Sequence, residues 1–227
     1  VTTFADLIAR ARRLVGPGAR RVLLGVTGSP GAGKTTLVEE LAAALRPDPP
    51  AELTAGEWVG HVPMDGFHLA DVELRRLGRR DRKGAPDTFD AGGYLALLRR
   101  LRADDEDVVY APAFERVLEQ PVAGSIAVPR AVRLILTEGN YLLLDGERWR
   151  AVAAALDEVW FCDLRADTRI ARLTARHEAF GKPPAHAASW VRDVDGPNAE
   201  LIEATRDRAD LVVPSAVLES IGRCPAG

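Results

Sequence analysis

Cysteine, lysine and long apolar runs are all scarce in this chain of 227 residues, and each scarcity excludes something. The two cysteines, Cys162 and Cys224, show no metal-site spacing and no partners for a disulfide framework, so a reducing cytosol is the expected compartment. Cys162 lies in an apolar run and reads as a buried thiol; Cys224 lies in the tail. No apolar run approaches the roughly 18 residues of a membrane span. Arg10, Arg12 and Arg13 near the start are joined to no long apolar core, so that segment does not read as a secretory signal. Positive charge is not in excess. The 30 Lys+Arg face 33 Asp+Glu, a net −3, which argues against a general nucleic-acid binder. Three of those cations are lysines, a bias that carries no function by itself. Trp58, Trp149, Trp160 and Trp190 are too scattered for a stacking platform, and core packing is expected of them. Repeats, low-complexity tracts and linkers are missing too. With 47% hydrophobic residues, enough for a sizeable core, residues 1–227 read as one α/β domain.

What is present begins at residues 22–37, VLLGVTGSPGAGKTTL. Val22, Leu23, Leu24 and Val26 form a short apolar run. The next eight residues, Gly28 to Thr35, fit G-x-x-x-x-G-K-[ST]. Residues 36–45 follow as a good helix former with Leu37, Val38, Leu41 and Leu45 on one face. Strand, glycine loop and helix in this order make a phosphate-binding loop. The glycines let the backbone curl so that successive N–H groups point at phosphate oxygens, and the helix adds its positive end. Gly28, Ser29, Gly31, Ala32, Gly33, Lys34, Thr35 and Thr36 are therefore the expected nucleotide contacts. Lys34 supplies a mobile charge for the outer phosphates, and Thr35 offers a hydroxyl to Mg2+.

The rest of the chain alternates helices and strands. Residues 3–15 read as an amphipathic helix ended by Gly16-Pro17-Gly18. Residues 58–64 read as a second strand delivering Asp65-Gly66-Phe67-His68, followed by a short helix at 69–77. Residues 78–88 are charged and loop-like, with Arg79, Arg80, Arg82 and Lys83 clustered. Asp90 is placed to cap a helix over 92–102. A short strand at 108–110 precedes an irregular stretch, 111–121, on the substrate side. Residues 132–137 are the clearest buried strand and deliver Glu138-Gly139-Asn140. A helix at 149–156, a strand at 159–162 ending at Asp163, and a helix at 167–180 come next. Gly181-Lys182-Pro183-Pro184 interrupts, 189–208 is mostly helical with a break at Gly196-Pro197, and 211–213 is a last strand before a Pro/Gly tail. Such alternation implies a mostly parallel sheet with helices on both faces.

Three apolar runs end in an acid, and in a parallel sheet all three acids emerge at the carboxyl edge, where the phosphate loop also lies. Asp65 is the expected catalytic base, since a carboxylate there can take the proton of an attacking hydroxyl. Glu138 is the expected magnesium acid, and Asp163 a turn or helix-start residue. Phe67 and His68 flank the base as candidate substrate contacts. Phe114 and Arg116 are candidates for a pocket wall and an anion clamp. Arg169, Arg172 and Arg176 share one face of a helix that could close over a triphosphate, offset its charge and exclude water, with Gly181 to Pro184 as a hinge.

Taken together, these segments resemble the phosphoribulokinase/uridine kinase/bacterial pantothenate kinase superfamily of P-loop small-molecule kinases, over nearly the whole chain after Arg20. GSPGAGKTT is the loop. VPMDGFHL with KGAPDTFD is similar to the pantothenate kinase pattern around its catalytic aspartate. YAPAFER stands at the substrate loop, LILTEGNYLL at the second acidic strand, DTRIARLTARH at the arginine-bearing lid and ADLVVP at the final strand. The chain looks most like a bacterial branch labelled nucleoside or fructose-transport kinase. The resemblance implies a three-layer P-loop fold with a small helical lid at about 165–184. It implies ATP and Mg2+ as cofactors, Asp65 as base, Thr35 and Glu138 on magnesium, Arg172 and Arg176 in the lid, and Asn198 beside the adenine. Uridine kinases carry a tyrosine after the base and a histidine in the substrate loop. Here the positions read Gly66-Phe67-His68 and Phe114-Glu115-Arg116, so a nucleoside acceptor is not specified.

The expected function is thus an ATP-dependent kinase acting on a hydroxyl of a nucleoside, pantothenate-like or sugar acceptor. The expected partners are that small molecule, no nucleic acid and no membrane, with a homodimer compatible. The alternative is a P-loop regulatory protein or GTPase-type switch. An N-K-x-D-like guanine motif after a strand, which the switch would need, is missing.

Overall fold

The run from Val22 to Thr27 is buried at every position, and only the middle of a sheet covered on both faces accommodates such a run. A computed structural model describes residues 2–16, 18, 20–50 and 53–221; the expectations for Pro17, Cys224 and the tail at 222–227 lie outside the described residues. In chain order the elements are α1 (Phe4–Leu14), β1 (Val22–Thr27), α2 (Lys34–Leu45), β2 (Val59–His61), α3 (Asp71–Arg76), α4 (Ala91–Ala103), β3 (Val108–Glu115), β4 (Gln120–Pro129), β5 (Leu134–Glu138), α5 (Glu147–Ala154), β6 (Glu158–Asp163), α6 (Ala166–Ala179), α7 (Pro184–Trp190), α8 (Gly196–Glu203), β7 (Leu211–Pro214) and α9 (Ser215–Ile221). Five strands form one sheet in the order β2-β5-β1-β6-β7, with every neighbouring pair parallel. In the register, Val26 of β1 lies beside Glu138 of β5 and Trp160 of β6. The carboxyl ends of the three central strands therefore open at one edge.

Two apolar layers sandwich the sheet. On one side Leu24, Val26, Leu136, Trp160 and Cys162 pack with Leu7 of α1, Leu37 and Leu41 of α2, and Leu218 of α9. On the other, Leu23, Ile135 and Phe161 pack with Tyr94 and Leu98 of α4 and with Trp149 and Val152 of α5. Cys162 is buried as expected, and burial pushes its thiol up to about 12, so it is an inert packing group. Trp58, Trp149 and Trp160 are core residues, whereas Trp190 is half-buried under the Lys182 ammonium, 4.9 Å above its ring. Asp90 caps α4 through a hydrogen bond from the Gly93 amide. Among the described residues, no helix is long and apolar enough to cross a membrane.

A fully buried arginine ties the sheet to the segments around it. Arg21 donates to the carbonyls of Val132, Leu101 and Pro129 at 2.9–3.1 Å and meets Asp104 at 3.1 Å. Arg21→Met would leave the Val132 and Leu101 carbonyls without this donor, leave Pro129 with only the Val132 amide, and remove one cationic partner of Asp104. The expected loss of unfolding free energy is about 3 kcal/mol, read from denaturant titration. A loss under about 1 kcal/mol would show that this cluster repacks without cost.

Four expectations need correction. The second strand is only three residues long, because the chain after His61 turns into a 3-10 turn at Met64–Phe67 that carries Asp65. The stretch 111–121 is not irregular: β3 and β4 form an antiparallel ribbon separate from the main sheet, with Ala111 opposite Ile126 and Phe114 opposite Pro121. Gly196-Pro197 does not break the chain's helical path. A π turn at Val191–Asp195 leads straight into α8, where Pro197 sits in the first turn and needs no N–H partner. The last strand is followed by α9, which buries Val217 and Leu218.

Candidate active site

The loop leaves β1 at the open edge of the sheet and runs straight into α2. Gly33 starts that helix at φ +86° with no side-chain cap, so the first-turn amides keep their hydrogen-bonding capacity for a ligand. The crest of the loop lies against α6. A Cβ on Gly31, itself at φ +81°, would stand 2.8 Å from Leu173 Cγ and 2.9 Å from the Arg169 carbonyl, so only glycine fits. Lys34 is 7% exposed, and its ammonium donates to the carbonyls of Gly28 and Ser29 at 2.9 and 3.2 Å. Burial pulls Lys34 below its ordinary pKa, against the opposing charges of Glu138 and Asp65.

Glu138 ends β5, and Thr35 begins the facing turn of α2. The Thr35 hydroxyl donates to a Glu138 carboxylate oxygen at 3.2 Å. Glu138 is 4% exposed and is pushed up to about 7 by burial and then by the negative charge of Asp65; Lys34 and the Thr35 hydroxyl pull the other way. Among the described residues no cluster of three or more His, Cys, Asp or Glu side chains could cage a metal. One hydroxyl and one carboxylate suit Mg2+, which keeps most of its waters and takes phosphate oxygens as ligands.

Asp65 reaches this edge because β5 holds the chain after β2. The Val62 amide donates to Leu136, and the Thr137 hydroxyl donates to the Val62 carbonyl at 2.6 Å. Met64 then packs onto Gly139, where any Cβ would come within 2.6 Å of it. The 3-10 turn is thereby set beside Glu138, and Asp65 is left half-exposed with no hydrogen bond to its carboxylate among the described residues. His68 Nδ1 is 2.9 Å from the Asp65 carbonyl, which makes it the protonated nitrogen, and burial keeps the ring below its ordinary pKa. The ring lies between Phe89 and Phe114, at 4.0 and 4.9 Å.

The remaining expected residues divide. Phe67 packs on Tyr94 of α4 and so faces the core more than the cleft. Ser29 and Ala32 are buried, and the Ser29 hydroxyl turns toward α8 to donate to Glu203. Thr36 is exposed at the helix start. Arg169 does not share the open face of α6: it is 8% exposed, with Nη1 3.5 Å from the Pro30 carbonyl. Arg172 is half-buried, with its guanidinium 3.4 Å from where a Gly33 Cβ would be, and the exposed Arg176 acts on Lys34 through its charge. Arg116 is exposed on the ribbon, 6.0 Å over the Phe180 ring at the end of α6, and its charge reaches Glu138. Asn198 is buried in α8 next to Ala199, whose carbonyl is 3.5 Å from the Ser29 hydroxyl. Asp163, expected as a turn or helix-start residue, ends β6 and pairs with Arg206 at 2.9 Å, while Arg165 stands at the start of α6. In the charged segment, Arg79 and Arg82 are tied to Asp87, and Arg80 and Lys83 to Asp71.

Sequence reasoning missed two groups. His177 and Asp195 form a hydrogen bond across 18 residues, and Glu203 closes on the loop serine. Neither pair shows a motif or a periodicity that could have announced it.

Comparison with known proteins follows the same lines. No family model matches the chain. A provisionally named uridine kinase of Schizosaccharomyces pombe is 31% identical over 225 residues, covering 97% of this chain and 92% of the relative. A pantothenate kinase of Rhodococcus opacus is 28% identical over 227 residues, covering 88% of this chain and 69% of the relative. Among solved structures, a provisionally named fructose transport system kinase from Silicibacter sp. TM1040 superposes with a TM-score of 0.84 at 35% identity, covering 94% of this chain and 100% of that one.

Proposed function

This chain belongs to the P-loop kinases of the uridine kinase and pantothenate kinase type, and from that premise we propose that it transfers the γ-phosphoryl group of ATP to a hydroxyl of a small metabolite. One observation carries the reading: the turn after β2 sets Asp65, whose carboxylate has no hydrogen bond among the described residues, at the same sheet edge as the Thr35–Glu138 pair and the open loop amides, with its charge acting on Glu138 and Lys34. Asp65 accepts the proton of the attacking hydroxyl. Lys34 leaves the carbonyls of Gly28 and Ser29 for phosphate oxygens. Arg172 and Arg176 add positive charge opposite the loop as negative charge spreads during transfer. Thr35 and Glu138 would hold Mg2+, which would supply positive charge against that of the phosphates.

On the acceptor side, Phe114 and the neutral His68 offer a flat wall. Arg116 forms no ion pair among the described residues, which favours an acceptor carrying a carboxylate or phosphate, pantothenate-like before a plain nucleoside. The test is acceptor-dependent ADP release across nucleosides, pantothenate, sugars and ribosylated vitamins. At least one acceptor should raise ADP release well above the ATP-only background, with acidic acceptors turned over best. ATP binding without any acceptor-dependent release would instead favour the regulatory reading.

A further inference from the structure

The last turn of α6 carries one member of a pair that the transfer chemistry leaves unused. His177 Nε2 is 2.8 Å from an Asp195 carboxylate oxygen, and the side chains are only 14% and 12% exposed. His177 directly follows Arg176, whereas Asp195 is the last residue of the π turn between α7 and α8. π turns are rare and recur at functional sites. Trp190 lies 6.5 Å from the His177 ring, with Lys182 stacked on its face, so the pair is screened from water on that side.

The pair closes a circuit around the phosphate loop. The first two turns of α6 rest on the loop crest through Arg169 and Leu173, which press on Pro30 and Gly31. The last turn is held by Asp195 through His177. From Asp195 the chain continues as α8 to Glu203, which takes a hydrogen bond from Ser29 at 2.5 Å, back at the loop. Arg172 and Arg176 ride between these ties and have no hydrogen-bonded partner of their own among the described residues. Beyond Phe180, Gly181 turns the chain at φ +88°, and the amides of Gly181 and Lys182 fold back onto the carbonyls of Glu178 and His177, so backbone bonds close the helix end while the His177–Asp195 bond ties it to the π turn.

We propose that His177 and Asp195 are positioning residues for phosphoryl transfer: their hydrogen bond fixes the last turn of α6 so that Arg172 and Arg176 stand over the loop. The proposal rests on the kinase reading above. A cation held in place stabilises developing charge without reorganising first, and its loss shows in turnover more than in ground-state binding. Untied, α6 keeps both arginines but lets them wander.

The test uses His177→Ala, Asp195→Ala and His177→Gln, whose amide N–H can still donate to Asp195. Two readouts are taken: kcat and KM for ATP, and hydrogen exchange of residues 172–180 with and without Mg-ATP, which needs no acceptor. The alanine variants should lose about 10- to 100-fold in kcat, with KM for ATP within about threefold. They should also lose the slowing of exchange that Mg-ATP produces in the wild type, and His177→Gln should restore most of both. An alanine variant with a lower Tm but wild-type kcat and exchange would reduce the pair to a structural tie and overturn the proposal. If the alanine variants do not fold, exchange in His177→Gln decides: protection by Mg-ATP supports the proposal and its loss sinks it. If no acceptor is found for the wild type, the kinase reading fails separately, and the exchange readout still judges the pair.

Discussion

Asp65→Asn is expected to lower kcat by about 100-fold or more while KM for ATP stays level or falls. The substitution preserves shape and removes only the proton acceptor. It also removes the negative charge that helps hold Glu138 at about 7, so the Thr35–Glu138 pair is relieved and nucleotide binding should not suffer. Asp163 provides the control. It ends β6 at the same edge of the sheet, but its carboxylate is taken by Arg206. Asp163→Asn should leave kcat within about threefold, because it touches no reacting group. Steady-state kinetics with the acceptor found by screening reads both. Turnover in Asp65→Asn within a few-fold of wild type would remove Asp65 from the proton transfer.

The second large effect is expected at Lys34. Lys34→Ala should reduce kcat/KM for ATP about 1000-fold, since a fixed cation on the transferring phosphates is lost. Ground-state affinity should weaken as well, because the same ammonium meets the outer phosphates before and during transfer. Stability should change by only about 1 kcal/mol, because two effects oppose: the buried Gly28 carbonyl loses its donor and Glu138 a counter-charge, while an ammonium whose charge burial disfavours is removed. Lys34→Arg should not rescue, since the slot under the loop is closed and a planar guanidinium is wider than an ammonium. Isothermal titration with ATP separates the binding loss from the turnover loss. Unchanged affinity and rate would break the assignment of the loop.

Much of this arrangement was legible in the sequence because its signals are local. The glycine loop is contiguous, and β1, β5 and β6 are buried on both faces, so they read as unbroken apolar runs ending in polar residues. The edge rule for parallel sheets then placed Asp65 and Glu138 with no structural knowledge. The ribbon was hidden because Pro112, Pro121 and Pro129 punctuate β3 and β4 and most of β4 is exposed, which erases the alternation that marks a half-buried strand. Gly196-Pro197 reads as a stop by composition, yet a proline in the first turn of a helix gives up no hydrogen bond. The basic face of α6 was misread at Arg169, because burial under Pro30 depends on how the helix is seated and not on spacing. Phe67 went inward for a similar reason: Tyr94, far along the chain, supplies the surface it packs on.

The ribbon's separateness from the five-strand sheet has one more consequence. Phe114 and Arg116 lie on a hairpin that pairs only with itself, while the loop, Lys34 and Glu138 belong to the sheet and the helix behind it. If the hairpin meets the acceptor as proposed above, mutations accumulating in it retune which alcohol is recognised and leave the donor half intact. An ancestor of this chain could have changed its diet without relearning how to hold its phosphate source.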